Sequence, residues 1–250
     1  MEKRTDKNSY TILFAIGMVF IVGSILAFAA SALKPNIDEN KRLEKQQNIL
    51  YAMGVNENEP GSVAMISADK VAAEFSKYIV KQLVIQGKEV KVDGKAYLID
   101  IKKEQAAAKD ASYVRKLPLF LGKKEGTIFY IVPIRGKGLW DAIWAYVSMD
   151  ENMVVQGIFM DHKGETPGLG ANINKRFFMD DFIGENMLDA SNQFKGIAVS
   201  KGNADPTNID KNDNEVDAIA GATITGDGVA AMIRSELKVY SSYFIHLKNN

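Results

Sequence analysis

The sequence contains no cysteine and only two histidines, His162 and His246, among its 250 residues. Without cysteine the chain supplies no disulfide, no thiolate for an iron–sulfur cluster and no thiol nucleophile. The two histidines are far apart, and neither lies in a spacing typical of a zinc or iron site. No metal site is therefore expected, and any redox chemistry would require a bound organic cofactor.

The sequence also lacks an excess of charge of either sign, since 31 Lys and Arg residues balance 31 Asp and Glu residues. This balance gives no electrostatic reason to expect a nucleic-acid partner. A G-x-G-x-x-G fingerprint following a predicted strand is absent as well, so no dinucleotide-binding site of that type is expected.

Charged residues are absent from residues 10–33, whose sequence is YTILFAIGMVFIVGSILAFAASAL. At about 1.5 Å per residue, a helix of this length spans a hydrocarbon core of about 30 Å. The run therefore predicts a single transmembrane helix preceded by a short tail at residues 1–9. Because it contains no carboxylate or lysine, it offers no obvious path for an ion.

A cleaved signal peptide is the alternative interpretation of this segment. Lys3, Arg4 and Lys7 make a basic start, and the small residues from Ala27 to Ala32 resemble a cleavage region. The apolar run is long for that role. Basic residues flank both of its ends, so charge alone does not fix the orientation of the helix.

The residues after the apolar run are predicted to form a connecting segment at 34–60 and a domain at 61–250. Pro35 is placed to open a short helix that ends at Gly54. Ser67 and Asp69 then provide capping chemistry for a second helix. The residues at helical spacing along its apolar face are Val71, Phe75, Ile79 and Leu83.

Beyond Gly94 the sequence changes to short β-rich runs separated by turn residues. These runs are AYLIDI, TIFYIVPI, IWAYVSM, MVVQGIFM and GIAVS, and they predict a sheet. Residues 201–215 are polar and rich in turn residues, which predicts an exposed loop. A last helix is predicted to start near Gly226, with an apolar face of Val229, Met232, Ile233, Leu237 and Tyr240. Strands followed by a terminal helix indicate an α+β fold with a mainly antiparallel sheet and flanking helices.

The chemistry is expected at the start of this last helix. The sequence DAIAGATITGDGVAAMI at residues 217–233 places a small-residue turn and two threonines directly before it. Free backbone N–H groups and the helix dipole favour a phosphate there, and Gly221 and Gly226 let the backbone approach it closely. A hydroxyl at this point can cap the helix, bind a phosphate or be esterified by one. From the residues alone, capping by Thr225 or Asp227 is the simplest of these interpretations.

Two other strings are candidates for ligand contact. In HKGETPGLGA, the glycines allow a tight turn, while Glu165 and Thr166 offer polar contacts; an ordinary surface loop is the alternative. The stretch PIRGKGLWDAIWAYVSMD carries Lys137, Trp140 and Tyr146 beside two glycines. An indole can cover a planar cofactor, but core packing accounts equally well for Trp140 and Tyr146.

The string DAIAGATITG resembles the flavinylation signature of FMN-binding domains, whose final threonine is joined to FMN through a phosphoester. The matching positions are Asp217, Gly221, Ala222, Thr223 and Thr225. The resemblance implies that Thr225 is the acceptor and that a separate flavin transferase attaches the FMN from FAD. Ala220 stands where the family has serine or threonine, which removes a hydroxyl contact but not the acceptor.

The ETPGLG string is similar to a second segment of the same domain family. This similarity implies an FMN-binding region at residues 127–240, in which the flavin contacts are Trp140, Glu165, Thr166, Gly168 and Leu169. On this basis the flavin phosphate is expected near Gly226, with the ring close to the loop at residues 165–169.

The order of the apolar helix, GKGLWD, ETPGLG and GATIT resembles that of the C subunit of the sodium-translocating NADH:quinone reductases, over nearly the whole chain. The resemblance implies an electron carrier within a multisubunit enzyme, not a complete enzyme alone, and no catalytic residue. Its partners would be membrane lipid and the other redox subunits, notably the FMN-bearing B subunit. It further implies an inner-membrane helix, a cytoplasmic tail and a periplasmic main domain.

Two alternatives to this assignment remain at the level of sequence. The G subunit of Rnf complexes shares the membrane helix and both flavin-associated strings, although the GKGLWD run and the polar stretch before Asp217 fit the C subunit of the reductases better. A cofactor-free assembly domain would use GATIT only to cap a helix and ETPGLG only as a turn.

Overall fold

The computed structural model describes residues 8–202, 205 and 208–248. Most of the predicted tail at residues 1–9 therefore lies outside the described residues, as do residues 203, 204, 206 and 207 of the predicted loop. The chain divides into two compact units, Met1–Arg42 and Leu43–Asn250.

A single helix, α1, extends from Asn8 to Ala52 over 45 residues. Its N-terminal part has a mean hydropathy of 2.7 and no buried residue, and it is the one helix among the described residues that is long and apolar enough to cross a membrane. The prediction that Pro35 would open a separate helix was wrong, because Pro35 lies inside α1. Proline removes one backbone N–H, and the charged helix formers that follow it allow the helix to continue.

The centre of the second unit is a six-stranded antiparallel sheet in the order β2-β1-β3-β4-β5-β6. The strands are β1 Ile79–Gln86, β2 Glu89–Val92, β3 Leu117–Lys124, β4 Thr127–Lys137, β5 Ala142–Met149 and β6 Val155–His162. The strand predictions from TIFYIVPI, IWAYVSM and MVVQGIFM are confirmed. A separate parallel pair, β7 Ala198–Val199 and β8 Glu215–Val216, takes up part of the predicted GIAVS strand.

The helices of this unit, after the end of α1, are α2 Ala68–Tyr78, α3 Ile101–Ala107, α4 Arg176–Met179 and α5 Thr223–Lys248. Short 3₁₀ helices cover Ala96–Leu98, Gly170–Asn174 and Asp180–Phe182. Helices and strands are segregated along the chain, so the predicted α+β class with a mainly antiparallel sheet is confirmed.

Two predictions about the first half of the domain were wrong. The AYLIDI run is not a strand but a 3₁₀ turn leading into α3, where the Asp100 side chain accepts a hydrogen bond from the Lys103 N–H at 3.2 Å and caps the helix. Helix α2 ends at Tyr78, and Ile79 and Leu83 belong to β1. The sequence IVKQLVIQ is rich in β-branched residues and pairs with β3, so strand pairing replaces the helical spacing.

Helix α5 packs its predicted apolar face on the sheet. Val229, Met232, Ile233, Leu237 and Tyr240 are all buried. The Tyr240 hydroxyl donates a hydrogen bond to the Pro118 carbonyl at 3.0 Å, and Arg115 and Glu236 form a largely buried ion pair at 2.7 Å. Helix α5 begins at Thr223, three residues before the predicted start.

The sheet is covered on its two faces by different helices. On one face, Gly136 of β4 lies so close to Met232 of α5 that an added Cβ would be 2.7 Å from its Cβ. On the other face, the end of α1 packs against Gly157 of β6, where an added Cβ would collide with the carbonyl oxygen of Ala52. Because alternate residues of a strand point to opposite faces, the alternating strand residues form two apolar layers.

A buried acidic side chain, Glu185, lies against Asn208. Glu185 is 0% exposed, accepts a hydrogen bond from the Asn208 amide at 2.9 Å, and has no partner for Oε2 among the described residues. Burial raises the pKa of Glu185 to about 7, despite the opposing hydrogen bond from Asn208. Asn208 and Asn214 are buried, so the prediction of an exposed loop was wrong at these positions, where the amides satisfy buried acceptors.

Replacing Gly157 by alanine is expected to destabilise the domain, because the new methyl group would collide with the Ala52 backbone and a backbone cannot rotate away. We expect a loss of ~1–3 kcal/mol in the free energy of unfolding of the full chain in detergent. The control is Gly94→Ala, since nothing lies within 4 Å of a Cβ added there. Equal stability of the two variants would contradict the packing of α1 on β6.

Glu185→Gln is expected to stabilise the domain more at pH 8 than at pH 5. The folded-state pKa of about 7 lies above that of an unfolded glutamate, so the folded state binds the extra proton between these two values. Stability from this group is therefore lost as pH rises through that window. Chemical unfolding should show a gain of ~1–3 kcal/mol at pH 8 and a much smaller one at pH 5. The exposed Glu215→Gln serves as the control, and an equal gain at both pH values would refute the assignment.

Candidate functional site

A cleft of about 240 Å³ lies between the segment that follows β6 and the first turn of α5. Its lining residues are Leu139, Glu165, Thr166, Leu169, Gly170, Gly221, Ala222, Thr223, Ile224 and Thr225. The fold therefore brings together the ETPGLG and GATIT strings, which are far apart in the sequence.

A direct hydrogen bond joins these two strings. The Thr225 hydroxyl donates to Oε2 of Glu165 at 2.6 Å, and the two residues are 1% and 4% exposed. Both side chains are thus shielded from bulk water while they line the cleft. A buried hydroxyl held by a carboxylate has a fixed orientation, which sets the position of its oxygen.

The carboxylate of Glu165 is held from several sides. The backbone N–H groups of Trp140 and Asp141 donate to Oε1 at 2.9 and 3.5 Å. The backbone N–H of Glu165 itself donates to Nδ1 of His162 at 3.2 Å. Burial by itself raises the pKa of Glu165, but the hydrogen bonds from Thr225 and from the N–H groups of residues 139–141 outweigh it and leave the pKa below its usual value. Glu165 is therefore ionised at neutral pH.

Two glycines provide the space for this carboxylate. A Cβ added to Gly138 would lie 2.6 Å from Oε1 of Glu165, and one added to Gly170 would lie 2.6 Å from Oε2 and collide with the Thr225 hydroxyl. Real Cβ atoms essentially never approach other atoms so closely. Glycine is consequently required at both positions for the Thr225–Glu165 pair to form.

The first turn of α5 presents backbone donors at the cleft. Thr223, Ile224 and Thr225 are the first residues of α5, and N–H groups at such positions have no acceptor within their own helix. The N–H of Gly226 donates to the Ala222 carbonyl at 2.9 Å, so regular helical bonding starts there. Gly221 has φ of +73°, a conformation favourable to glycine that turns the chain into the helix. An anionic group is stabilised at such a terminus.

Exposed apolar side chains surround the cleft. Leu139, Leu169 and Ile224 are exposed and line it, and Trp140, which is 67% exposed, stands beside it. The Trp140 indole N–H donates to the Thr166 hydroxyl at 3.2 Å, which orients the ring. The arrangement suits a ligand with an anionic end and a flat apolar body.

Not every residue singled out in the sequence lies at the cleft. Asp217 is half-buried and does not line the cleft; its charge adds to the burial that raises the pKa of Asp181. Gly168 forms a turn with φ of +79° and does not line the cleft. Tyr146 is buried and accepts a hydrogen bond from Asn48 of α1, which makes it a core residue.

Sequence reasoning did not assign a role in the site to Leu139, Gly170 or Ile224, all of which line the cleft. Ile224 could have been recognised from the sequence, because an isoleucine at this position lies off the apolar face of α5. The structure shows that its side chain is exposed. Among the described residues, no group of three or more histidine, aspartate or glutamate side chains is arranged to hold a metal ion.

The chain is similar to known proteins over most of its length. A family model described as FMN-binding domain matches residues 138–238. The C subunit of the Na(+)-translocating NADH-quinone reductase from Vibrio anguillarum is 30% identical over 247 residues, covering 92% of this chain and 90% of that protein. The corresponding protein from Pseudomonas aeruginosa is 30% identical over 241 residues, covering 90% and 89%.

Solved structures agree with these sequence relationships. The C subunit of the reductase from Parabacteroides distasonis has a TM-score of 0.70 and 30% identity, covering 85% of this chain and 96% of that chain. The protein from Shewanella oneidensis has the same fold, with a TM-score of 0.66 and 23% identity, covering 84% and 99%. The cleft lies within the segment that matches the FMN-binding domain, and the relatives are matched over nearly their full length. The chain therefore belongs to the family formed by the C subunits of the Na(+)-translocating NADH-quinone reductases.

Proposed function

We propose that this chain is the electron-transferring C subunit of a sodium-translocating NADH:quinone reductase and carries FMN joined through a phosphoester to Thr225. The observation that carries the proposal is the position of Thr225. The last threonine of the GATIT string lies at the cleft, in the first turn of α5, within the segment that matches the FMN-binding domain.

The residues of the cleft fit the two ends of FMN. The open N–H groups in the first turn of α5 would hold the phosphate, and the absence of side chains at Gly170 and Gly221 leaves the approach to them open. Leu139, Leu169 and Trp140 supply an exposed apolar surface for the ring. Thr166 adds a hydroxyl at the same edge.

A covalent link suits this cleft because the cleft is small and its apolar rim is exposed. Its volume of about 240 Å³ is small for a cofactor of this size, and its apolar rim is exposed. Noncovalent contacts of this extent leave much of a ligand in solvent. A phosphoester prevents loss of the cofactor whatever its noncovalent affinity, and a separate flavin transferase would supply the FMN from FAD.

When bound, FMN supplies the redox chemistry, while the protein positions it and tunes its potential. In this assignment a different protein of the complex oxidises NADH, and the partners are the other redox subunits, notably the FMN-bearing B subunit. The role of the chain is to hold one flavin at a fixed place.

The apolar part of α1 is proposed to anchor the chain in the inner membrane. Residues 10–33 would span the bilayer once, residues 1–9 would form a cytoplasmic tail, and the domain at 61–250 would lie in the periplasm. The supporting observation is that the apolar part of α1 has no buried residue and a mean hydropathy of 2.7. Residues 34–60 would join the two parts.

Thr225→Val is expected to abolish covalent flavin, because valine has a similar shape but no hydroxyl. The full chain would be produced together with its flavin transferase and assayed for flavin fluorescence after denaturing electrophoresis. Thr223→Val is the matched control, since Thr223 lies two residues earlier in the same turn and its side chain is exposed.

We expect the Thr223 variant to retain most of the covalent fluorescence and the Thr225 variant to lose it by more than about tenfold, as a missing acceptor cannot be replaced by binding. Loss of covalent fluorescence in the Thr223 variant, with retention in the Thr225 variant, would assign the attachment to Thr223 instead. Retention in both variants would refute attachment in this turn.

A further inference from the structure

The hydroxyl that the proposed function makes the flavin acceptor is already hydrogen-bonded to a carboxylate. Its oxygen is 2.6 Å from Oε2 of Glu165, and both groups are buried. A capping threonine commonly bonds a backbone N–H of its own helix instead. The bond of Thr225 therefore reaches across the cleft to a charged acceptor that is 60 residues away in the chain.

We propose that Glu165 is the general base that takes the proton from Thr225 when the flavin is attached. This inference rests on the proposed function, because it concerns how Thr225 becomes modified. It assigns to the ETPGLG string a role in maturation, in addition to any contact with the ring.

The attachment of FMN to Thr225 is a phosphoryl transfer and requires no oxidant or reductant. The Thr225 oxygen forms a bond to the phosphorus of the FMN half of FAD, which the flavin transferase presents. The bond from that phosphorus to the bridging oxygen breaks, and AMP leaves with the electron pair. The Thr225 proton moves to Oε2 of Glu165, which keeps it in the product.

The geometry meets the requirements of a general base. A base must be within about 2.6–3.2 Å of the atom whose proton it removes, and the observed distance is 2.6 Å. The backbone N–H of Trp140 binds Oε1 at 2.9 Å, which leaves Oε2 to the hydroxyl. Among the described residues that line the cleft, Glu165 is the only one with an ionisable side chain.

A protonated Glu165 also accommodates the phosphodiester formed at Thr225. A phosphodiester at Thr225 would place a negative charge beside the Glu165 carboxylate, and two like charges at such a distance disfavour each other. A proton on Glu165 removes this repulsion and supplies a donor to the new ester. Glu165 accordingly accepts a hydrogen bond before attachment and donates one afterwards.

The test is the rate of covalent attachment in full-length chains. Unmodified wild type, Glu165→Gln and Glu185→Gln would be purified in detergent and mixed with flavin transferase and FAD. The FMN-sized mass increase would be followed over time at several pH values and chain concentrations, which separates kcat from KM. Glutamine at 165 keeps the shape and the acceptor for the Trp140 N–H, and Glu185→Gln is a matched change of a buried carboxylate outside the cleft.

Glu165→Gln should lower kcat of attachment by about 10²–10⁴-fold with little change in KM. Wild type and the Glu185 variant should share a decline in rate toward acid pH that the Glu165 variant lacks. Thermal unfolding should show all three chains folded. If Glu165→Gln does not fold, Glu165→Asp tests the reach of the base instead: its carboxylate is one methylene shorter, so kcat should fall while the decline toward acid pH is kept, and an unchanged kcat would overturn the inference.

Two results would overturn the inference while leaving the proposed function intact. An unchanged kcat in the Glu165 variant would place the base in the transferase, and a loss confined to KM would make Glu165 a docking residue. The proposed function fails separately, if wild-type chain gains no FMN mass at Thr225 under the same conditions.

Discussion

The hydrogen bond between Thr225 and Glu165 is the constraint on which the site depends. It connects the first turn of α5 to the segment after β6 at 2.6 Å, and it exists only because Gly138 and Gly170 leave room for the carboxylate. The position of Thr225 follows from the packing of α5, whose apolar face is buried on the sheet as far as Tyr240. A shift of this helix along the sheet would separate the two strings and open the cleft.

The packed core and the cleft lie in different parts of the domain. The sheet and the body of α5 form the packed part of the domain, while the cleft lies at one end of α5, where the first backbone N–H groups have no acceptor within the helix. The apolar part of α1 carries no buried residue and is long and apolar enough to cross a membrane. A site on the first turn of a well-packed helix is held more precisely than one on a free loop, and electron transfer depends on such fixed positions.

The parts of this structure that depend on local sequence pattern were predictable. The apolar face of α5 follows a period of 3.6, and the alternation in β4 to β6 follows a period of 2, so both were recognisable. The predicted helix that starts at Ala68 was extended wrongly into β1, since Ile79 and Leu83 fit a helical spacing and their shared partner strand, β3, lies far along the chain. The continuity of α1 through Pro35 was missed because a proline signals a boundary more often than an interior position.

The site itself was predictable only in part. The two strings were found from their resemblance to a family, but a motif does not fix which of its residues line the cleft, and Asp217 does not line it. The pairing of Thr225 with Glu165 depends on the folded chain and leaves no trace in either string alone. Leu139 and Gly170 belong to the cleft for the same reason.

The most direct test of the central claim is peptide mass mapping of the chain purified from its native membrane. We expect an FMN-sized addition on the peptide that contains Ile224 and Thr225, with fragmentation assigning it to Thr225. An unmodified peptide in a preparation without flavin would contradict the account and leave Thr225 as a buried residue that only bonds Glu165.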